Sequence, residues 1–321
     1  MHRVKLFIFT IAALLFSQAA LAQAPGKQKA VLVTGASTGI GATLAEYLSQ
    51  RGFYVYAGAR KEEDLKRLEA MDNVSAVRLD ITKQAEIDAA VAFVRAQGRG
   101  LHGVVNNAGV AAVGELMKIS EEDILWQHDI NILGAMRVDR AFLPLLKESK
   151  GRTLVIGSLS GFVTGPGGGA FSMTKFATEA YAETLAMELA GEGVKAGIVD
   201  PGSFRARGRE RVAIKMLTGE WDLNAKLTPE QEKIIAGVRA TEDKRKEPIE
   251  VAEQVYHFLT SDTPRVRYMA SPDKKTVDMV YRAALRRIAQ LNASQPAYAL
   301  TRDELVTMLD ELLVEEASGG K

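Results

Sequence analysis

The stretch Val31 to Gly41, VLVTGASTGIG, limits what the chain can fold into more than any other segment. A short β-branched run ends at Thr34, glycines follow at Gly35, Gly39 and Gly41, and an apolar-periodic segment continues through Leu44, Ala45 and Leu48. That order predicts a strand, a tight turn and a helix. Glycine at those positions permits positive φ and close backbone approach to a ligand, while the new helix turns its unpaired N–H groups and positive end over the turn. A pyrophosphate suits such a cradle, with Gly35, Ser37, Thr38, Gly39, Ile40 and Gly41 as candidate contacts. The spacing T-G-x-x-x-G-x-G departs from the commoner G-x-G-x-x-G fingerprint, and taken alone it also suits a βα turn that binds nothing.

Downstream, strand-like and helical patterns alternate. Strands are expected at Tyr54 to Ala57, Val74 to Leu79, His102 to Val105, Thr153 to Ile156 and Ala196 to Val199, with a last one at Pro264 to Ala270. Helices are expected near 62–70 and 85–95, over 121–146 and over 171–190. Short, continuously apolar strands between amphipathic helices are the pattern of parallel strands covered on both faces. Right-handed crossovers then give an α/β fold, a doubly wound, Rossmann-type parallel sheet. With 47% apolar residues over 321 positions, one large domain spanning 28–290 is expected, followed by a helical extension at 291–321.

Composition excludes several classes. A net charge of +1 supplies no field for nucleic acid. The chain has no Cys, and His2, His102, His128 and His257 show no ligand spacing, so neither a disulfide framework nor a metal site is expected. The first 22 residues form a unit apart: a basic start (Arg3, Lys5), an apolar run from Leu6 to Phe16, and Ala20-Leu21-Ala22 before Gln23. This is the three-part pattern of a secretory signal peptide, which predicts an exported, periplasmic or secreted protein without a membrane span once processed.

The ends of the predicted strands carry the candidate ligand contacts, on the side where such sheets bind. Arg60 stands where an acidic residue would hold a ribose 2′-hydroxyl, and so favours a 2′-phosphate, that is, NADP over NAD; an ordinary solvated arginine is the plainer alternative. Asp80, followed by Ile81, suits either an adenine amino group or a cap on the next segment. Asn107, Ala108 and Gly109 follow the fourth strand and suit a turn held open beside a flat ring, or a turn alone.

Thr34 to Gly41, Asp80, Asn106 to Gly109, Asn131, Ser158, Lys175 and Pro201-Gly202 together resemble the short-chain dehydrogenase/reductase family. The wording LHGVVNNAG, and GGGAFSMTKFATEAY before DPGSF, is similar to its retinol and hydroxysteroid dehydrogenase branch. The resemblance implies an alcohol/carbonyl oxidoreductase in which a nicotinamide moves hydride and a Tyr moves the proton, acting on a hydroxyl or ketone of a mostly apolar small molecule. It implies Ser158 as the group orienting the substrate oxygen, Asn131 as the family Asn, Lys175 as the Lys that lowers the phenol pKa and holds the ribose, and Pro201-Gly202 beside the nicotinamide amide. Members commonly form homo-oligomers through the helices carrying Asn131 and Lys175, and the region 203–250 corresponds to their substrate lid.

At the family's Tyr position this chain has Phe171. The ring is kept and the ionisable hydroxyl is lost; removing a positioned acid typically lowers rate by about 10² to 10⁴. Tyr181 lies ten residues further along the same predicted helix, roughly 15 Å away, too far to inherit the role. Ser158, or a water held by Lys175, remains as a substitute donor. Ala206 stands where relatives often carry Thr. Export away from the cytosolic nicotinamide pool points the same way as Phe171, so a catalytically silent exported binding protein competes with the enzyme.

The rest is less specific. Arg205, Arg207, Arg209 and Arg211 form a basic run in a charged, poorly periodic stretch, expected as a solvated face, with an anionic substrate as the alternative. Ser271-Pro272 is expected to start a helix and 292–299 to be loop. Thr301 to Glu304 reads as a capping box, and Leu305, Met308, Leu309, Leu312 and Leu313 as a stripe expected to pack on its own domain.

Overall fold

The computed structural model describes residues 28–223 and 225–318; the signal peptide expected over residues 1–22 lies outside them. Seven strands form one parallel sheet: β1 (Ala30–Val33), β2 (Tyr54–Ala59), β3 (Val74–Arg78), β4 (Gly103–Asn106), β5 (Arg152–Ile156), β6 (Lys195–Pro201) and β7 (Arg267–Ala270). Their order is β3-β2-β1-β4-β5-β6-β7, so the winding reverses between β1 and β4. That reversal opens a crevice at the carboxyl ends of the two central strands.

Alternation along each strand divides the core between the two faces of the sheet. Val31 and Val33 point to one face, with Leu44 and Leu48 of α1 (Gly39–Ser49) and Val255 and Phe258 of α9 (Ile249–Thr260). Ala30 and Leu32 point to the other, with Ile87 of α3 (Gln84–Ala96) and Val138 and Phe142 of α5 (Ala135–Ser149). The doubly wound Rossmann-type architecture is therefore present, with α2 (Glu62–Glu69) and α6 (Gly169–Leu189) completing the cover.

Several boundaries differ from the sequence-based expectation. The helices expected over 121–146 are α4 (Glu121–His128) and α5, joined by a π-helical turn at Asp129–Gly134 that the sequence did not suggest. Gly134 sits so close to Ile81 that an added Cβ would lie 2.5 Å from its Cδ1, a tertiary contact that hydrophobic period does not report. The stretch 203–250, poorly periodic in sequence, holds α7 (Gly208–Thr218) and α8 (Pro229–Glu242); their charges are paired with one another, which blurs the apolar period. The helix expected to start at Ser271-Pro272 starts two residues later. Asp273 is its N-cap, accepting from the Thr276 N–H at 2.8 Å, and α10 (Lys274–Ser294) runs into the expected 292–299 loop and past residue 291.

The capping box forms at Thr301, which starts α11 (Arg302–Ala317). Its stripe does not pack on its own domain: Met308, Leu309, Leu312 and Leu313 are all about half exposed, and no residue of α11 is buried. Amphipathic period shows which face is apolar but not what covers it. Among the described residues no helix is long and apolar enough to cross a membrane.

Candidate functional site

The glycine turn is built first, because everything above it rests on its shape. Gly35 and Gly39 adopt φ of 64° and 57°, a region open to glycine and costly for residues with a Cβ. A Cβ on Gly41 would lie 2.2 Å from the Gly35 carbonyl oxygen and 2.5 Å from Asn107 Nδ2, with no room to shift. The turn is laced to the end of β4. Thr34 Oγ1 accepts the N–H groups of Asn107 and Ala108, both at 3.0 Å, and Asn107 Nδ2 donates to the carbonyls of Thr34 (2.9 Å) and Gly35 (3.1 Å). Asn107 thus acts as a clamp on the cradle. Thr38 makes no side-chain cap, so the first N–H groups of α1 remain directed at whatever lies over the turn.

At the end of β2, Arg60 is more than half exposed, and its one ion pair among the described residues is a 3.9 Å approach to Asp80. Asp80 Oδ1 accepts from the Thr82 N–H (3.1 Å) and hydroxyl (2.7 Å). Burial pushes this carboxyl up, but the Thr82 bonds and the Arg60 charge outweigh it and hold it below the ordinary range. The capping alternative for Asp80 is present, and Oδ2 stays beside Arg60. Ile81 is buried and belongs to the core of its face of the sheet, packed against Gly134.

On the other side of the crevice, α6 places Phe171 and Lys175 one turn apart on one face, with the Lys175 Nζ 5.7 Å from the centre of the Phe171 ring. Nζ donates to the Ile156 carbonyl at 2.9 Å, at the carboxyl end of β5. Burial pulls the Lys175 ammonium down to about 8, against the charges of Asp200 and Glu179. Ser158, just past β5, is partly buried and accepts the Ser160 N–H at 3.1 Å. Its own N–H donates to Asp200 Oδ1 at 3.0 Å. Asp200 Oδ2 and Glu179 Oε1 are buried with no donor beside them, an arrangement satisfied when one proton bridges the two carboxyls. Burial and then Glu179 accordingly raise Asp200 far above its ordinary value.

Asn131 lies in the π-helical turn, and its amide is fully occupied. It accepts from the Val110 N–H (2.8 Å) and donates to the Val110 carbonyl (2.8 Å) and Thr174 hydroxyl (3.0 Å), which ties the β4 loop to the turn of α6 that carries Lys175. Gly109 packs beneath its Oδ1. Tyr181 is committed elsewhere, donating to buried Asp139 at 2.6 Å. Pro201 ends β6, and the Gly202 N–H donates to the Ala270 carbonyl at 2.7 Å. Ala206 then lies over Gly39, 3.4 Å from where its Cβ would be. A cavity of about 440 Å³ at this contact is lined by Gly39, Thr43 and Ala206 and by charged residues such as Glu46, Arg205 and Glu242; Ser158 and Lys175 do not line it.

The structure brings the expected residues to the carboxyl edge of the sheet and adds three roles that the sequence left unassigned, those of Thr34, Trp126 and Trp221. The last two are the only tryptophans in the chain, which is the one signal they offer. Trp221, beyond α7, stacks on Trp126 of α4 at 4.6 Å and donates to Asp123 at 2.8 Å. Its neighbour Asp222 accepts from Lys61, beside Arg60, at 3.2 Å. The segment after β6 is thus fastened on both flanks of the crevice. Its basic run stays on the solvated side as expected, with Arg207 and Arg209 about half exposed while they pair with the buried carboxylates of Glu210 and Glu242.

The family model described as short chain dehydrogenase matches residues 29–215. The mitochondrial D-beta-hydroxybutyrate dehydrogenase of Bos taurus is 32% identical over 269 residues, covering 76% of this chain and 77% of that one. Retinol dehydrogenase 7 of Mus musculus is 33% identical over 264 residues, covering 78% and 82%. Among solved structures, the closed form of serine dehydrogenase complexed with NADP+ superposes with a TM-score of 0.64 at 25% identity, covering 75% of this chain and 94% of that one.

Proposed function

Because the chain belongs to the short-chain dehydrogenase family, a family of nucleotide-binding oxidoreductases, we propose that it binds NADP(H) in preference to NAD(H) and acts on a small, mostly apolar alcohol or ketone. The observation that carries this reading is the pair of turns at the switch point, where the uncapped start of α1 and the clamped glycine cradle fit a pyrophosphate. Arg60 fits a 2′-phosphate, because its long contact to Asp80 leaves most of its fork of donors unused. Relatives named for hydroxybutyrate and retinol support a hydroxyl or ketone substrate. Half-exposed Leu116 beside Gly169, at the start of α6, supplies an apolar wall.

The nicotinamide, when bound, supplies the hydride. The chain's own groups orient and handle the proton: the Ser158 hydroxyl hydrogen-bonds the substrate oxygen, and the buried Lys175 ammonium holds positive charge at the end of β5. Phe171, at the family's Tyr position, has no proton to give, and Tyr181 is bound to Asp139. Turnover therefore depends on Ser158 or a water on Lys175. A silent binding protein is the second reading, favoured by the benzyl ring standing over Lys175. Export rests on the pattern of residues 1–22. A homo-oligomer through α5 and α6 is supported by the exposed Met173 and Met187.

Titration of the purified protein with NADP and NAD, followed by NADPH oxidation against a ketone panel, tests the reading. Saturable binding stronger for NADP is expected. Activity with any ketone removes the silent alternative, and absence of binding to either nucleotide overturns both.

A further inference from the structure

The run Arg205, Arg207, Arg209, Arg211 begins the lid, and three of the four are committed to carboxylates. Arg205 pairs with Glu247 and Asp243, Arg207 with Glu210, and Arg209 with Glu242. Glu210 and Glu242 are almost wholly buried, and each holds a second arginine, Arg239 or Arg245. These ion pairs fasten the lid helices to one another.

Arg211 differs from its neighbours. It lies on the inward face of α7, one turn before fully buried Ile214, and is itself partly buried. Its guanidinium has neither a hydrogen-bond nor an ion-pair partner among the described residues. Burial, then the cations Arg60 and Arg207, hold it below the ordinary arginine value, with Asp222 and Glu210 opposing. A partly desolvated, unpaired cation facing like charge is unfavourable, and an anion brought between Arg211 and Arg60 relieves both. The far end of the lid sits on the same spot, since Asp222 accepts from Lys61, the residue after Arg60.

We infer that Arg211 and Arg60 grip the 2′-phosphate of NADP(H) together, one from the lid and one from the end of β2, so that the lid closes over the phosphorylated nucleotide. This rests on the nucleotide-binding reading above and adds a residue from the lid to the determinants of nucleotide choice.

The test is calorimetric titration of the full chain and its Arg211→Gln variant with NADP, NAD, 2′,5′-ADP and ADP, with limited proteolysis of the lid alongside. Arg211→Gln is expected to weaken NADP and 2′,5′-ADP by about ten- to hundred-fold and to leave NAD and ADP within about twofold. NADP is expected to slow cleavage within 203–250 in the unsubstituted protein more than in Arg211→Gln. Arg211→Lys, which keeps the charge without the forked donors, is expected to fall between and shows that the effect is not misfolding. Equal weakening of all four ligands would place Arg211 on the adenosine 5′-phosphate that they share and overturn the inference. Unchanged discrimination, in a protein that still binds NADP, would overturn it while leaving the nucleotide reading intact. Failure of the unsubstituted protein to bind either nucleotide would remove both.

Discussion

Adding a hydroxyl to the ring beside Lys175, Phe171→Tyr, tests the proposed chemistry most directly. The Phe171 ring is partly buried, so the added oxygen has an open side to occupy, and the change in stability is expected to stay within about 0.5 kcal/mol. With Lys175 Nζ 5.7 Å from the ring centre and an effective dielectric of about 20, an ammonium favours the phenolate by about 3 kcal/mol, or about two pKa units. Solvent at the open edge of the ring screens part of this, which leaves the new phenol about one to two units below its ordinary value of about 10. A phenol in that range is a competent acid near neutral pH. The expected gain in kcat for ketone reduction is about 10² to 10⁴, with little change in KM for NADPH, because the ring already occupies the position. The assay is NADPH oxidation across a ketone panel between pH 6 and 10. The variant's rate is expected to fall above about pH 8 to 9, as the phenol loses its proton. If the unsubstituted protein turns over within tenfold of the variant, or if a folded, NADPH-binding variant gains nothing, Phe171 is not where the proton donor is missing.

Two further predictions concern buried charge. Lys175 titrates at about 8 in the folded chain and at 10.5 when unperturbed, so between those values the unfolded chain binds more protons and stability rises with pH. The shift corresponds to about 3 kcal/mol. Lys175→Met should therefore be more stable than the unsubstituted protein at pH 7 in urea unfolding, by an amount that shrinks towards pH 10, while losing nucleotide affinity; a difference independent of pH would contradict it. Tyr181→Phe removes the phenol that donates to fully buried Asp139, which also accepts from Asn106 and Thr153. A loss of about 1 to 3 kcal/mol in urea unfolding is expected, with NADP affinity unchanged. A loss of turnover without a loss of stability would instead make Tyr181 a proton donor.

The parallel sheet, the glycine cradle and the positions of Ser158, Phe171 and Lys175 were legible in the chain because each is a local pattern. Apolar strand length, glycine spacing and the one-turn offset of Phe171 and Lys175 all lie within a few residues of each other. The stretch 203–250 was not legible in the same way. Its two helices carry their stabilising contacts as ion pairs between distant positions, such as Arg239 with Glu210 and Arg209 with Glu242. These leave no apolar period to find. The start of α10 moved from Ser271 to Asp273 because the cap is decided by which side chain reaches the Thr276 N–H.

Sequence alone was enough to establish the architecture and the phenylalanine one helical turn before Lys175, since both depend on residue type and spacing along the chain. Only the tertiary structure decided what those residues are free to do. It showed Asn107 spent on backbone carbonyls, Asn131 on Val110 and Thr174, Tyr181 held by Asp139, Asp200 and Glu179 facing each other near Lys175, and the Arg211 guanidinium without a partner among the described residues. Hydrogen-bond and charge partners come from strands and helices tens of residues apart, and a short-range pattern carries no information about which donor meets which acceptor across the fold.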